Sequence, residues 1–431
     1  MAEKPPVVVL NLFHSGLGIV RQLTRHGIRV LGLSADRQIY GNFTRLCEVR
    51  IAPSSQEHPD QLATFLMNIA TDFNGAVVFP TNDFDLMFLD AFRDALGSAY
   101  KLAIPERNVL VQIMDKSVLY AVALRAGVPV PRTIKINSEA ELQVAASHVG
   151  FPSVLKPVMS TDWRRADRWK AVGRRKALRC NNISELRGQY QSVSRVQSDS
   201  LLQEWIPGDE SRLCTWAGYL GADSQVLAHF TARKLMESPG ECGTGCLVES
   251  LPMPELVPPS TRICHALNYQ GIAEIEFKHD ARDGSCKLIE INPRHWDWHE
   301  LGMASDVNFS FLAYKYLAGL PVHSRERLTC SATWVAEDAL LTEMLSSMAK
   351  GSITPLKKLR CSPRPRIYGI FSPRDPMPFL RYSLGTLLPR YLKAVSRKAL
   401  QKTTRRGKHN MPTRVLSTSA PGRSQERATQ V

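Results

Sequence analysis

Apolar and polar residues alternate along Glu274-Ile275-Glu276-Phe277-Lys278 and again along Leu288-Ile289-Glu290-Ile291-Asn292. A period of two marks half-buried strands. His279 to Ser285 separates the runs and contains an Asp-Gly pair suited to a turn. The pattern predicts a hairpin with Glu276, Glu290 and Asn292 on one face, ended by Pro293-Arg294. Upstream, apolar runs at 7–10, 30–33 and 75–80 alternate with helical stretches from Phe13 to Arg25 and from Phe84 towards Leu96. That alternation predicts a parallel sheet with helices on both faces. Val109 to Arg125 is helical in period and is broken by Gly127-Val-Pro-Val-Pro131. Next come a strand at 133–136, then a helix to Val149 opened by a capping box at Ser138 and Glu141. A strand from Phe151 to Lys156 follows, then a loop from Ser160 to Lys170, and strands at 171–172 and 201–206.

Two carboxylates and an amide oxygen on one face suit a hard cation such as Mg²⁺, which keeps phosphate oxygens as its other ligands. For either acid alone, a solvated edge hairpin is the competing reading. Lys156 ends an apolar strand, so its ammonium either snorkels to water or faces a polyanion, because burying it unpaired is costly.

Glu276 followed by Glu290-x-Asn292-Pro293-Arg294 resembles the metal-binding signature of the ATP-grasp superfamily. The resemblance covers roughly residues 7–320. It implies an α/β chain: a Rossmann-like pre-ATP-grasp domain (1–112), then a two-lobed α+β ATP-grasp domain (113–325, lobes about 113–205 and 206–325). A C-terminal extension with an amphipathic basic segment (326–404) and a disordered basic tail (405–431) complete it. It further implies ATP with Mg²⁺, or Mn²⁺ in its place, the metal held by Glu276, Glu290 and Asn292. Lys116 and Lys156 match the family's phosphate lysines. Gln203 to Glu210 matches the hinge, where Glu204 and the backbone of Trp205 and Ile206 would take adenine and Asp209 or Glu210 the ribose. Arg233 or Lys234 would reach the γ-phosphate, and Arg294 would grip the acyl phosphate. The implied reaction is amide-bond formation between a carboxylate and an amine through an acyl phosphate.

One departure stands out. Residues 158–170 occupy the place of the family's glycine-rich phosphate loop but hold no glycine until Gly173, which leaves Ser160, Thr161 or Lys170 as substitutes. This resembles the carboxylate–amine ligase branch, part of which serves envelope pathways. His295 and His299, in His-Trp-Asp-Trp-His, are either substrate-pocket residues or aromatic packing.

Charge changes the picture only when located. The chain of 431 residues carries +15, yet residues 356–431 alone hold 18 Lys+Arg against Asp375 and Glu426, so the first 355 residues are near neutral. Leu387, Leu388, Tyr391, Leu392 and Val395 recur at helical spacing among Arg390, Lys393, Arg397 and Lys398. Residues 380–408 thus read as a basic amphipathic segment suited to an anionic membrane surface. A helix docked on the body competes with that reading. No motif supports specific nucleic-acid binding. Nine scattered cysteines, no signal-peptide pattern and no long apolar run predict a reduced, cytoplasmic setting, extending to the inner face of the membrane. Cys242 and Cys246 lack the partners of a zinc site. Substrates would be small-molecule or envelope-precursor carboxylates and amines, and a homodimer is among the assemblies the resemblance allows. Two rivals stand: a non-catalytic ATP-binding protein recruited to a membrane-associated assembly, and an oxidoreductase using Gly16-x-Gly18. The second has an incomplete dinucleotide fingerprint, with Arg21 at its third position.

Overall fold

The computed structural model describes residues 4–195, 197–322 and 331–389. Most of the basic segment and the whole tail lie outside the described residues. Among those described, no helix is long and apolar enough to cross a membrane.

Three sheets organise the body. The first is parallel and comprises β1 (Val7–Leu10), β2 (Val30–Ser34), β3 (Glu48–Ile51), β4 (Val77–Phe79) and β5 (Lys101–Leu102), in the order β3-β2-β1-β4-β5. Its central strands are buried on both faces, so they read as continuous apolar runs. Val8 and Leu10 pack into one core, while Val7 and Val9 pack into another that continues into the largest sheet. The expected helix from Phe84 to Leu96 is two helices, Asp83–Ala91 and Arg93–Gly97. Gly16 and Gly18 are packing glycines. A Cβ on Gly16 would lie 1.9 Å from the Asn11 carbonyl oxygen, and one on Gly18 would lie 2.7 Å from the His299 ring. Their presence is explained without a dinucleotide.

The small lobe is a four-stranded antiparallel sheet of β6 (Thr133–Ile136), β7 (Ser153–Pro157), β8 (Leu178–Cys180) and β9 (Ser200–Glu204), in the order β6-β9-β7-β8. The capping box does not close on Ser138. Glu141 instead accepts the Asn137 N–H, and a short 3₁₀ turn precedes the helix Leu142–Val149. The expected loop after β7 is folded into two short helices, Ser160–Arg164 and Ala166–Ala171. Without glycine the segment has no reason to stay extended, and the Asp162 carboxylate accepts the Met159 N–H at the first helix's start. The strand expected at 171–172 is the end of the second helix and the turn after it.

The large lobe is a seven-stranded sheet: β10 (Leu213–Leu220), β11 (Val226–Ser238), β12 (Thr244–Ser250), β13 (Gly271–His279), β14 (Cys286–Asn292), β15 (Ala332–Val335) and β16 (Arg366–Tyr368), ordered β14-β13-β10-β11-β12-β15-β16. The sheet thus runs past the boundary expected at residue 325, because β15 pairs with β12 and β16 with β15. Ile275 and Phe277 face a core shared with the helices at 107–125. Those helices are separate, Arg107–Met114 and Lys116–Arg125. Asp115 breaks the run and caps the second one, accepting N–H bonds from Ser117 and Val118. Residues from 380 onward form a second unit, of which the described part includes the turn Ser383–Leu387.

Candidate active site

Strands β13 and β14 form the antiparallel hairpin expected, with Glu276 opposite Glu290 and Glu274 opposite Asn292. With Ile275 and Phe277 committed to the core, the four polar side chains share the other face. Glu276 and Glu290 floor a cavity of about 310 Å³ between the lobes, within the range of ligand pockets, while Glu274 and Asn292 lie outside its lining. Lys116, Lys156, Lys234, Glu276 and Glu290 line one end of it, while Val154, Trp163, Ile206 and Leu213 give it apolar walls.

Each cation is positioned by its element. Lys116 begins the helix capped by Asp115. Its ammonium lies 2.7 Å from Ser160 Oγ and 3.9 Å from Glu290. Lys156, near the end of β7, donates to Tyr120 Oη at 2.7 Å and Gln203 Oε1 at 2.9 Å. Burial, with no acid in contact, pushes its pKa down to about 8. Lys234 bridges Glu276 and Glu237. Burial opposes the charge on Lys234, but those two carboxylates outweigh it and hold the lysine above its usual range. Burial also pushes Glu276 up against the pull of Lys234, with Glu290 and Glu237 adding to the push. For Glu290 the outcome reverses: Lys116, then Lys176 and Lys234, overcome burial and keep it ionised.

The donor set fits a hard cation in part. The Lys234 ammonium, a positive charge already seated on Glu276, shows that this place favours a cation. Asn292 donates from Nδ2 to Glu274 at 3.1 Å, and its Oδ1 accepts from Arg294 Nη2 at 3.2 Å. No group of three His, Cys, Asp or Glu among the described residues could hold a metal alone. Two carboxylates and an amide would therefore need oxygens from a ligand to complete a shell, which is the coordination Mg²⁺ adopts on phosphates.

Arg294 lies just beyond the floor. Its Nε donates to Asp83 at 2.6 Å and its Nη1 to the His295 carbonyl at 3.2 Å. Arg164 also reaches Asp83, at 3.2 Å. Burial would raise the Asp83 carboxyl, but Arg294 and Arg164 hold it far below the usual carboxylate range. Asp83 sits where the first domain meets the large lobe, and no motif announces it.

At the hinge the structure departs from expectation. Glu204 borders the cavity, yet its carboxylate is already saturated. It accepts from Arg132 N and Nε at 3.1 Å each, from Arg282 Nη2 at 3.2 Å and from Lys287 Nζ at 3.1 Å. It therefore ties three segments together and has no capacity left for a base. Trp205 lies under two cations, Arg179 at 4.6 Å and Lys278 at 4.7 Å from its ring centre. Ile206, Asp209 and Glu210 also border the cavity. Asp209 accepts the Ser211 N–H, and Glu210 pairs with Lys358 at 3.4 Å.

Other expected residues lie elsewhere. Arg233 pairs with Glu249 and does not line the cavity, because successive residues of β11 face opposite ways. Lys170 is exposed and does not line the cavity. His299 bonds the Trp296 carbonyl, and His295 lies 3.1 Å from Ser310 Oγ. Burial drives both imidazoles to their neutral form, so this cluster is packing around the Asn-Pro-Arg turn. Lys176 and Tyr120 join the site without a local motif that announces them, and Gln203, expected only as the start of the hinge, binds Lys156.

No family model matches the chain. It is 22% identical over 279 residues to D-aspartate ligase of Enterococcus faecium, covering 61% of this chain and 64% of that one. It is 27% identical over 192 residues to D-alanine–D-alanine ligase of Ectopseudomonas mendocina, covering 42% and 55%. The chain thus spans less than two thirds of these curated relatives. Among solved structures, biotin carboxylase of Campylobacter jejuni superposes with a TM-score of 0.61 at 16% identity, covering 76% of this chain and 74% of that one.

Proposed function

We propose that the chain is an ATP-dependent carboxylate–amine ligase of the ATP-grasp superfamily, forming ADP, a reading supported by its similarity to two such ligases. The observation that carries the proposal is convergence. Lys116, Lys156, Lys234, Glu276 and Glu290, from segments far apart in sequence, line one cavity.

When bound, Mg-ATP supplies the phosphoryl group that activates a carboxylate. Lys116 and Lys156 neutralise the phosphates, while Glu276, Glu290 and Asn292 hold the metal. Trp205, Ile206 and the backbone beside them take the base, and Asp209 or Glu210 the ribose. Arg294, locked by Asp83, presents its guanidinium beside Asn292, where a planar fork suits acyl-phosphate oxygens. A carboxylate oxygen bonds to the γ-phosphorus and the β–γ bridging bond breaks, releasing ADP. The amine nitrogen then bonds to the acyl carbon and the carbon–oxygen bond to phosphate breaks. The proton lost by the amine leaves with the phosphate or solvent. Catalysis is chiefly positioning and charge neutralisation.

The names of the relatives point to small amino acids as carboxylate and amine. Residues 380–408 are proposed to contact anionic membrane, and sedimentation of the protein with and without phosphatidylserine vesicles tests that separately. The ligase is tested by ADP and phosphate release from Mg-ATP against pooled amino acids, dicarboxylates and amino sugars. Release that requires both an acid and an amine, with an amide product by mass spectrometry, supports it. ATP binding without release in any pool favours the non-catalytic alternative.

A further inference from the structure

The connection from β7 to β8 folds into two short helices where phosphate would otherwise meet a glycine-bearing backbone. Past the second helix the chain turns through two left-handed residues, Gly173 (φ 62°) and Arg174 (φ 59°). Two residues on, Lys176 borders the same cavity as Lys116, Lys156 and Lys234. Its ammonium donates to the Gly243 carbonyl at 3.1 Å and to Thr244 Oγ1 at 2.7 Å. Both acceptors are neutral and belong to the other lobe, Gly243 ending the turn between β11 and β12 and Thr244 opening β12.

The company of this ammonium resembles that of Lys156, which also meets two neutral acceptors, and differs from that of Lys116 and Lys234. Lys234 has Glu276 and Glu237, and Lys116 has Glu290. Among the described residues no carboxylate lies within ion-pairing distance of Lys176. Its three N–H donors meet two neutral acceptors, so one donor and the whole charge are left over. Burial lowers its pKa, and Arg164 and Lys234 nearby lower it further against the weaker pull of Glu290 and Glu237. A half-buried ammonium without a counter-ion is costly unless a ligand brings the charge. The neighbours also fix which end of a nucleotide that is, because Lys234 and Glu290 mark the phosphate and metal end of the cavity.

We infer that Lys176 is a phosphate-binding residue of the nucleotide site: its side chain does the work of a backbone phosphate loop and ties the outer phosphates of a nucleoside triphosphate to the β11–β12 turn. The assignment rests on the nucleotide reading above and goes beyond it by naming a residue that no motif announced. Of the three substitutes the sequence offered, Ser160, Thr161 and Lys170, it takes the place of Lys170, which is exposed and does not line the cavity.

The test is titration of wild type, Lys176→Met and Lys176→Arg with ATP, ADP and AMP in Mg²⁺ by calorimetry. One charge-assisted hydrogen bond corresponds to roughly 10- to 100-fold in affinity. Lys176→Met is expected to lose about that much for ATP while AMP changes by less than about twofold, and Lys176→Arg to keep most of the ATP affinity. Equal weakening of ATP and AMP would show a mere tie between lobes and overturn the inference, as would unchanged ATP binding. Should Lys176→Met not fold, Lys176→Gln gives the same comparison. Wild type that binds no nucleotide sinks the underlying site as well, an outcome distinct from wild type and variant binding alike.

Discussion

Replacing Glu204 separates its two readings, base recognition and structural tie. In Glu204→Ala the exposed arms contribute little, because Arg132 and Arg282 side chains are 61% and 45% exposed and such pairs give about 0–1 kcal/mol each. Lys287, only 12% exposed, loses one acid but keeps Asp280 at 2.8 Å. That halves the loss expected for a broken buried pair, from roughly 3–5 kcal/mol to about 2. The Arg132 N–H loses its acceptor as well, at about 1 kcal/mol or more. The sum is about 3–5 kcal/mol, or a fall in Tm of roughly 4–6 °C for a unit that spans Met1–Phe379. Differential scanning fluorimetry reads the fall, and the ratio of ATP to GTP affinity reads base recognition. That ratio is expected to stay within about threefold of wild type in Glu204→Gln. Unchanged Tm with lost adenine preference would refute the reasoning and restore Glu204 to the base. The pH dependence has a definite sign. Burial raises the Glu204 pKa, but the Arg132 N–H and Lys287 together bring it below its unfolded value. Its stabilisation is therefore present above the unfolded carboxylate pKa and lost as pH falls through the lower folded value.

Three further outcomes are expected. Glu290→Ala should abolish ATP turnover with an unchanged circular dichroism spectrum, and undiminished turnover would remove the metal assignment. ATP affinity should fall as pH rises above about 8, where free Lys156 loses its proton, by up to about tenfold per unit. Binding at pH 9 should then take up protons, seen as a calorimetric enthalpy that depends on the buffer, and buffer-independent heat would contradict it. Arg233→Ala should cost about 1–3 kcal/mol, because it leaves the buried Glu249 without its partner, and leave kcat near wild type; a kcat loss beyond about tenfold would place Arg233 in the chemistry after all.

The hairpin was legible because its chemistry and its register obey one local rule. Period two put Glu276, Glu290 and Asn292 on a face, and the irregularity in the pairing falls after Glu276, so the Glu276–Glu290 pair survives it. Lys156 was legible as a charge ending an apolar strand, and Lys116 only through the family resemblance. What failed was whatever depends on partners distant in sequence. Glu204 looks available until Arg132, Arg282 and Lys287 arrive from three other segments. Arg233 and Lys234 are adjacent letters, and only the strand's placement decides which of them meets Glu276. The extension after residue 325 looked appended because pairing of β15 with β12 spans a long stretch of chain, and periodicity carries no information about such a partner.

The first helix of the chain carries a buried arginine whose partners are supplied by some of the last described residues. Arg21 donates to the carbonyls of Gly369 and Ile370 and lies 3.6 Å from Asp375, which in turn accepts from Thr44. During synthesis the parallel sheet emerges first, whereas Arg21 on its first helix gains these partners only after about 375 residues have left the ribosome. Folding domain by domain is the usual course for a chain this long, and the first domain then starts without them. A truncation before residue 369 should harm the N-terminal domain more than the lobe it was cut from, and a C-terminal fusion should be placed beyond this strap.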